Sequence, residues 1–256
     1  MDAAHEVLAA AETPGIREAI VLGLNLMLGG AGLYLLRKGK RSALGRDSHK
    51  VKLWRTSGAE ASLLVVCICL DSFVIPRYFP FFLTLLVVLA LKVLRPKAYP
   101  NLAGEARWSF FGACTEAGWH LLRIWPVLLA AFFLSSIVFA GFPRQGAVEQ
   151  VANADSDQLF LLMVSVILVA PLLEEVLFRG VLYRMLKGSV GMGPAIATTS
   201  LLFALVHKNA LVFLPLVVLA AGLALAYERT GDLRVPILMH AFFNAFNAAT
   251  ILFARG

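Results

Sequence analysis

Six side chains in the C-terminal half have the types that hydrolytic chemistry uses: Glu174, Glu175, Arg179, His207, His240 and Asn244. All lie within or beside strongly apolar runs, where ionisable groups are costly and rarely accidental. On a helix, adjacent residues point about 100° apart, so Glu174 and Glu175 cannot do the same job. Glu175 and Arg179 stand at i and i+4 with the acid first, the favourable order for an ion pair. Glu174 is left without a cation on its own helix, which makes its carboxylate available for general acid or base work. Phe203 and His207 share one helix face, and His240 and Asn244 share another, each pair at i, i+4. A carboxylate with an imidazole can deprotonate water. An imidazole with a carboxamide N–H can stabilise a developing oxyanion.

Each residue also has a plainer use. Glu175 and Arg179 read as a structural ion pair. His207 beside Lys208 can be a polar side chain at a helix end. His240 and Asn244 can be interhelical hydrogen-bonding groups, and Phe203 reads as packing beside the site. The ordered set on separate apolar helices raises the catalytic reading above these.

Lipid is the solvent that must position these groups. The chain has 256 residues, 59% of them hydrophobic and 15% charged, with a mean hydropathy of +0.79. A soluble domain is about 45–50% apolar and about 25% charged. A membrane span takes roughly 20 apolar residues. The predicted fold is therefore all-α, a polytopic membrane helical bundle of about eight transmembrane helices. The spans are placed near 16–36, 59–75, 81–94, 121–142, 159–186, 194–208, 211–227 and 233–253. A seven-span version treats 194–227 as one bent unit. The first 158 residues form N-terminal helices of unassigned role with a basic loop at 37–55, and 159–256 form the catalytic core.

Placing the N-terminus outside puts 17 Lys and Arg on the cytoplasmic side and 5 outside, with Arg179 inside a span. That bias fits the positive-inside rule and predicts a multi-pass cell-membrane protein whose active-site cavity opens to the cytoplasm. The net charge of +7 is then topological rather than a nucleic-acid footprint. Trp108, Trp119 and Trp125 read as interfacial anchors of the fourth span. Counted from the cytoplasmic helix ends, Glu174 and His207 lie ~20 Å deep and His240 ~10 Å. Convergence therefore needs a last span that starts deeper, tilts, or has a different boundary.

Several chemistries are excluded. Cys67, Cys69 and Cys114 have neither disulfide parity nor zinc spacing. His5-Glu6-Val7-Leu8-Ala9 lacks the second histidine of a zinc helix. Gly188-Ser189-Val190-Gly191 is a turn rather than a nucleophile elbow. Asp71 stands alone near a span end, without the second aspartate of an aspartyl intramembrane protease. The first apolar run follows an acidic N-terminus and reads as a retained span, not a cleaved signal.

Glu-Glu-x-x-x-Arg at 174–179, Phe-x-x-x-His at 203–207 and His-x-x-x-Asn at 240–244 occur in that order. With the stretch Gly222 to Asn244, they resemble the CPBP family of CAAX prenyl endopeptidases and bacteriocin-processing or immunity proteins (also called Abi) over roughly 159–253. The resemblance implies peptide-bond hydrolysis in the membrane on a membrane-associated peptide or protein tail. Carried over by position, Glu174 and His207 activate water, His240 and Asn244 hold the oxyanion, and Glu175, Arg179 and Phe203 support them. No cofactor is required in this reading. The alternative places zinc on Glu174, His207 and His240. A non-enzymatic scaffold or immunity protein on the same fold, or a proton-coupled transporter, are the other functions these residues allow.

Overall fold

In lipid, only helices or closed barrels satisfy every backbone N–H and C=O within the protein. The computed structural model describes residues 14–39, 51, 57–73, 82–94, 108–140 and 156–255, and its regular elements there are all helices. Of the basic loop, only residues 37–39 and Val51 are among these. The His5–Ala9 motif lies outside the described residues.

The helices are α1 (Pro14–Gly39), α2 (Gly58–Phe73), α3 (Phe82–Leu94) and α4 (Phe110–Val138), then α5 (156–190), α6 (Met192–Val206), α7 (Ala210–Thr230) and α8 (Arg234–Arg255). Five are long and apolar enough to cross a membrane: Arg17–Leu35, Phe110–Val138, Asp157–Val190, Ala210–Thr230 and Arg234–Phe253. The chain is thus a polytopic helical membrane protein. Helices α2, α3 and α6 have 16, 13 and 15 residues, so at 1.5 Å per residue they reach only ~20–24 Å.

The fourth helix begins eleven residues before the predicted 121, at Phe110. Ser109 caps it, its hydroxyl accepting from Gly112 N at 3.1 Å. Glu116, His120 and Arg123 break an apolar window, but they do not break a helix. Trp125 is a correction: it is buried in the core, with edge contacts to the Phe246 ring at 4.8 Å and Phe243 at 6.3 Å. Trp108 and Trp119 remain exposed. Residues 194–227 are not one continuous helix. Helices α6 and α7 are separated at 207–209, where Lys208 adopts φ 54 and the Asn209 side chain caps α7 by accepting from Leu211 N at 3.0 Å.

Asp71, which among the described residues has no second aspartate as its partner, has a structural use. Its carboxylate accepts from Leu83 N (3.0 Å), Thr84 N (2.7 Å) and the Thr84 hydroxyl (2.6 Å), capping α3.

Helix α4 packs on α1, α7 and α8. Gly32 permits the α1 approach, since a Cβ there would collide with the Leu122 carbonyl and the Pro126 ring. Small residues allow such contact where lipid supplies no hydrophobic drive between helices. One core joins both halves of the chain, with Leu64, Ile68 and Leu128 packed in the same cluster as Phe178, Phe203, Leu219 and Met239.

Helix α5 is interrupted by two wide π-turn segments, Ser165–Val169 and Val176–Tyr183, which flank the α-helical Ala170–Glu175. Pro171 has no N–H to donate, and the wide turn precedes it.

Candidate active site

The segment Ala170–Glu175 presents both glutamates toward α8. Glu175 is fully buried, and its Oε1 accepts from Arg179 Nη1 at 2.6 Å, the pair expected from the spacing. Arg179 Nη2 also donates to the Ala220 carbonyl of α7 at 2.9 Å, and its guanidinium lies 4.9 Å from the Phe203 ring centroid. The cation is therefore held by a carboxylate, a carbonyl and an aromatic face, which offsets its removal from water.

The same Glu175 Oε1 stands 3.1 Å from His240 Nδ1. A carboxylate only accepts, so Nδ1 carries the proton. His240 Nε2 then lies toward Glu174, 3.9 Å from its Oε2. That is too far for a direct hydrogen bond. Glu174 keeps 16% of its side-chain surface exposed, yet its Oε2 is buried and has no hydrogen-bond partner within the protein. Glu175 Oε2 and Arg179 Nε are buried without partners too. Unsatisfied polar atoms are few in folded proteins, and here three of them gather in one place.

Asn244, one turn beyond His240, donates Nδ2 to the Val166 carbonyl at 2.8 Å. Val166 lies in the first π-turn, so α8 is pinned to α5 both before the glutamates and at them. One Asn244 N–H is used there, and the amide has a second.

His207 ends α6. Its Nδ1 meets the Phe203 carbonyl at 2.7 Å, which makes Nδ1 the donor and leaves Nε2 with the lone pair. The Phe203 ring stands between the two imidazoles, 4.8 Å from His207 and 5.7 Å from His240. Neither a hydrogen bond nor an ion pair joins His207 to Glu174. Glu174, Glu175, Arg179, Phe203 and His240 are thus brought together, Asn244 sits one turn along, and His207 reaches the group through Phe203.

The 34-residue stretch Asp157–Val190 extends ~50 Å at helical rise, beyond a ~30 Å hydrocarbon core. A count of residues from its end is therefore not a depth in the bilayer.

Sequence reasoning missed the Val166 and Ala220 carbonyls, since backbone acceptors carry no sequence signal. It also missed a second buried cluster, in which Glu228 Oε1 accepts from the Tyr183 hydroxyl and Lys187 Nζ, both at 2.6 Å. Among the described residues no group of three or more His, Cys, Asp or Glu side chains is arranged to hold a metal. The zinc set of Glu174, His207 and His240 is not assembled in this arrangement.

Residues 156–246 match the family described as type II CAAX prenyl endopeptidase Rce1-like. The chain is 30% identical over 205 residues to the membrane-embedded CAAX protease MroQ of Staphylococcus aureus (strain USA300), covering 77% of this chain and 78% of that protein. It is 27% identical over 196 residues to human CAAX prenyl protease 2, covering 64% of this chain and 59% of the human one. No solved structure gives a significant match. The match to MroQ extends well beyond the motif segments, and the chain belongs to the CAAX-type family of intramembrane endopeptidases.

Proposed function

We propose that this protein hydrolyses a peptide bond in a membrane-associated peptide or protein tail, with Glu174 as the base. The observation that carries this is the buried, unpartnered Glu174 Oε2 facing His240 Nε2 across 3.9 Å. A gap of that size lets one water touch both groups. Glu174 takes a proton from this water as the water oxygen bonds to the scissile carbonyl carbon. The carbonyl electron pair moves onto oxygen. The second N–H of Asn244 and an Nε2–H of His240, present in the imidazolium form beside the Nδ1–H that Glu175 holds, stabilise that oxyanion. As the intermediate collapses, the C–N bond breaks and the proton held by Glu174 passes to the leaving amine. His207 is the second residue of water activation in this reading; its Nε2 is left basic by the Phe203 hydrogen bond, and it reaches the group through the Phe203 ring. Glu175, paired with Arg179, holds the His240 Nδ1–H and the orientation of its ring.

In this reading all eight helices are embedded, the N-terminus is outside and the cavity opens to the cytoplasm, in keeping with the 17-to-5 distribution of Lys and Arg. The names of the relatives point to C-terminal CAAX tails, so a membrane-tethered CAAX peptide is the first substrate to offer.

The test is cleavage by the full chain reconstituted in vesicles. Glu174→Ala and His207→Ala abolish turnover while the melting temperature stays unchanged. Full turnover by folded Glu174→Ala would overturn the assignment, and a biological effect retained by that variant would point to a scaffold or immunity role. No step here passes through a metal, so exhaustive chelation leaves activity intact. Activity lost on chelation and restored by zinc would replace this scheme with a metal-dependent one.

A further inference from the structure

Two arginines at the contact of α4 with α7 stand together without a counter-charge. The two helices run in opposite directions. The start of α4 is tied to the α7–α8 turn, where Trp108 N donates to the Asp232 carboxylate and Arg234 donates to the Trp108 carbonyl. Further along, a Cβ on Gly222 would collide with the Ile124 side chain, so the backbones are close there. Arg123 is the neighbour of Ile124, and Arg229 lies two turns beyond Gly222 on the same face of α7. The two guanidiniums are near enough to repel one another, and both act on the ring of His120, which is 6% exposed. Among the described residues neither arginine makes a hydrogen bond or an ion pair. Glu116, the one acid of α4, lies 3.8 Å from His120 Nε2 and pairs with neither. Glu228, next to Arg229, is turned to Tyr183 and Lys187. Even with Glu116 counted, the two arginines leave one positive charge in excess.

Both arginines stand where the ion-free part of their helix ends. Residues 124–138 of α4 and 210–227 of α7 hold no Asp, Glu, Lys, Arg or His. At helical rise they cover ~22 Å and ~27 Å, against a hydrocarbon core of ~30 Å. Arg123 and Arg229 are thus at the level of lipid headgroups. Trp119, one turn before Arg123, is exposed at that level, where tryptophan is favoured. One turn deeper, Val127 follows Arg123 and Leu225 precedes Arg229, and both are exposed. The groove between the helices therefore has two cations at its mouth and apolar side chains leading inward.

We propose that Arg123 and Arg229 bind the phosphate of one anionic phospholipid, whose acyl chain lies over Val127 and Leu225. A guanidinium offers two parallel N–H groups to phosphate oxygens, and a phosphate between two of them turns their repulsion into two charge-assisted pairs. Basic pockets between membrane helices suit anionic headgroups for this reason. A choline lipid carries the same phosphate but brings a third cation to the arginines, so it binds less well. A soluble phosphate ester has the charge without the chain. The site does not depend on the hydrolytic reading.

The test uses the purified full chain, stripped of lipid, and native mass spectrometry with added palmitoyl-oleoyl phosphatidylglycerol or phosphatidylcholine. One phosphatidylglycerol is retained per chain, about tenfold more tightly than phosphatidylcholine. Arg229→Gln, at an exposed position that does not threaten folding, removes most of that preference, and so does Arg123→Gln. The melting temperature of the lipid-free variants is no lower than that of the parent chain, because a repulsion is removed. Glycerol 3-phosphate at equal concentration does not displace the lipid. Equal retention of the two lipids, or a preference intact in folded Arg229→Gln, overturns the site. Displacement by equimolar glycerol 3-phosphate overturns the lipid as its occupant in favour of a soluble phosphate ester.

Discussion

Helix α5 takes part in two buried carboxylate clusters about two turns apart, and they are built differently. At its cytoplasm-facing end in the proposed topology, Glu228 of α7 receives the Tyr183 hydroxyl and the Lys187 ammonium on one oxygen, each at 2.6 Å. Near its middle, Glu175 receives Arg179 at 2.6 Å and His240 at 3.1 Å. Next to Glu175, Glu174 has only an imidazole at 3.9 Å and a buried oxygen with nothing to bond. Donors bound to a carboxylate oxygen hold helices together. One with no protein donor bound, facing an imidazole, is positioned to accept a proton from a third molecule. The same side-chain type is structural or chemical according to whether its partners are already in place.

The largest effect that would sharpen this contrast comes from Glu175→Ala. It strands the Arg179 guanidinium, only 1% exposed, without its counter-charge. The expected loss is about 3–5 kcal/mol of stability, read as a fall in melting temperature in detergent, whereas Glu174→Gln leaves the melting temperature unchanged. If the two variants melt alike, the division between structural and chemical glutamates fails. Tyr183→Phe comes next. It removes one donor from Glu228 at a cost of about 1–3 kcal/mol, with cleavage per folded molecule preserved. A loss of turnover without a loss of stability would instead couple the lower cluster to the chemistry. The smallest effect is at the far side of the bundle. Asp71→Ala uncaps α3 and costs about 0.5–2 kcal/mol, with no change in kcat or KM in the same vesicle assay.

Much of this was legible in the residues. The apolar runs set the helices, and the boundaries of α3 and α6 fall within two residues of expectation. The Glu175–Arg179 pair followed from an i, i+4 spacing, as did the shared face of Phe203 and His207. The start of α4 was placed too late because charged residues end an apolar window, yet an i, i+4 pair such as Glu116 and His120, 3.8 Å apart, sits comfortably on a helix. Trp125 was read as an anchor because tryptophan favours interfaces, while its ring is enclosed by Phe243 and Phe246.

What the sequence by itself determined were the relations within each helix, because 3.6 residues per turn specifies which side chains are neighbours along one segment. Relations between helices were left to the tertiary structure. Glu174 was expected beside His207 and instead meets His240; Glu175, expected only to steady its own helix, also holds His240 across to α8; Asn244 reaches a π-turn carbonyl. Each π-turn inserts residues that rotate the following face of α5, and the packing of α8 then selects which imidazole that face meets. Such rotations are decided by how the helices fit against one another, and no spacing along a single chain segment encodes them.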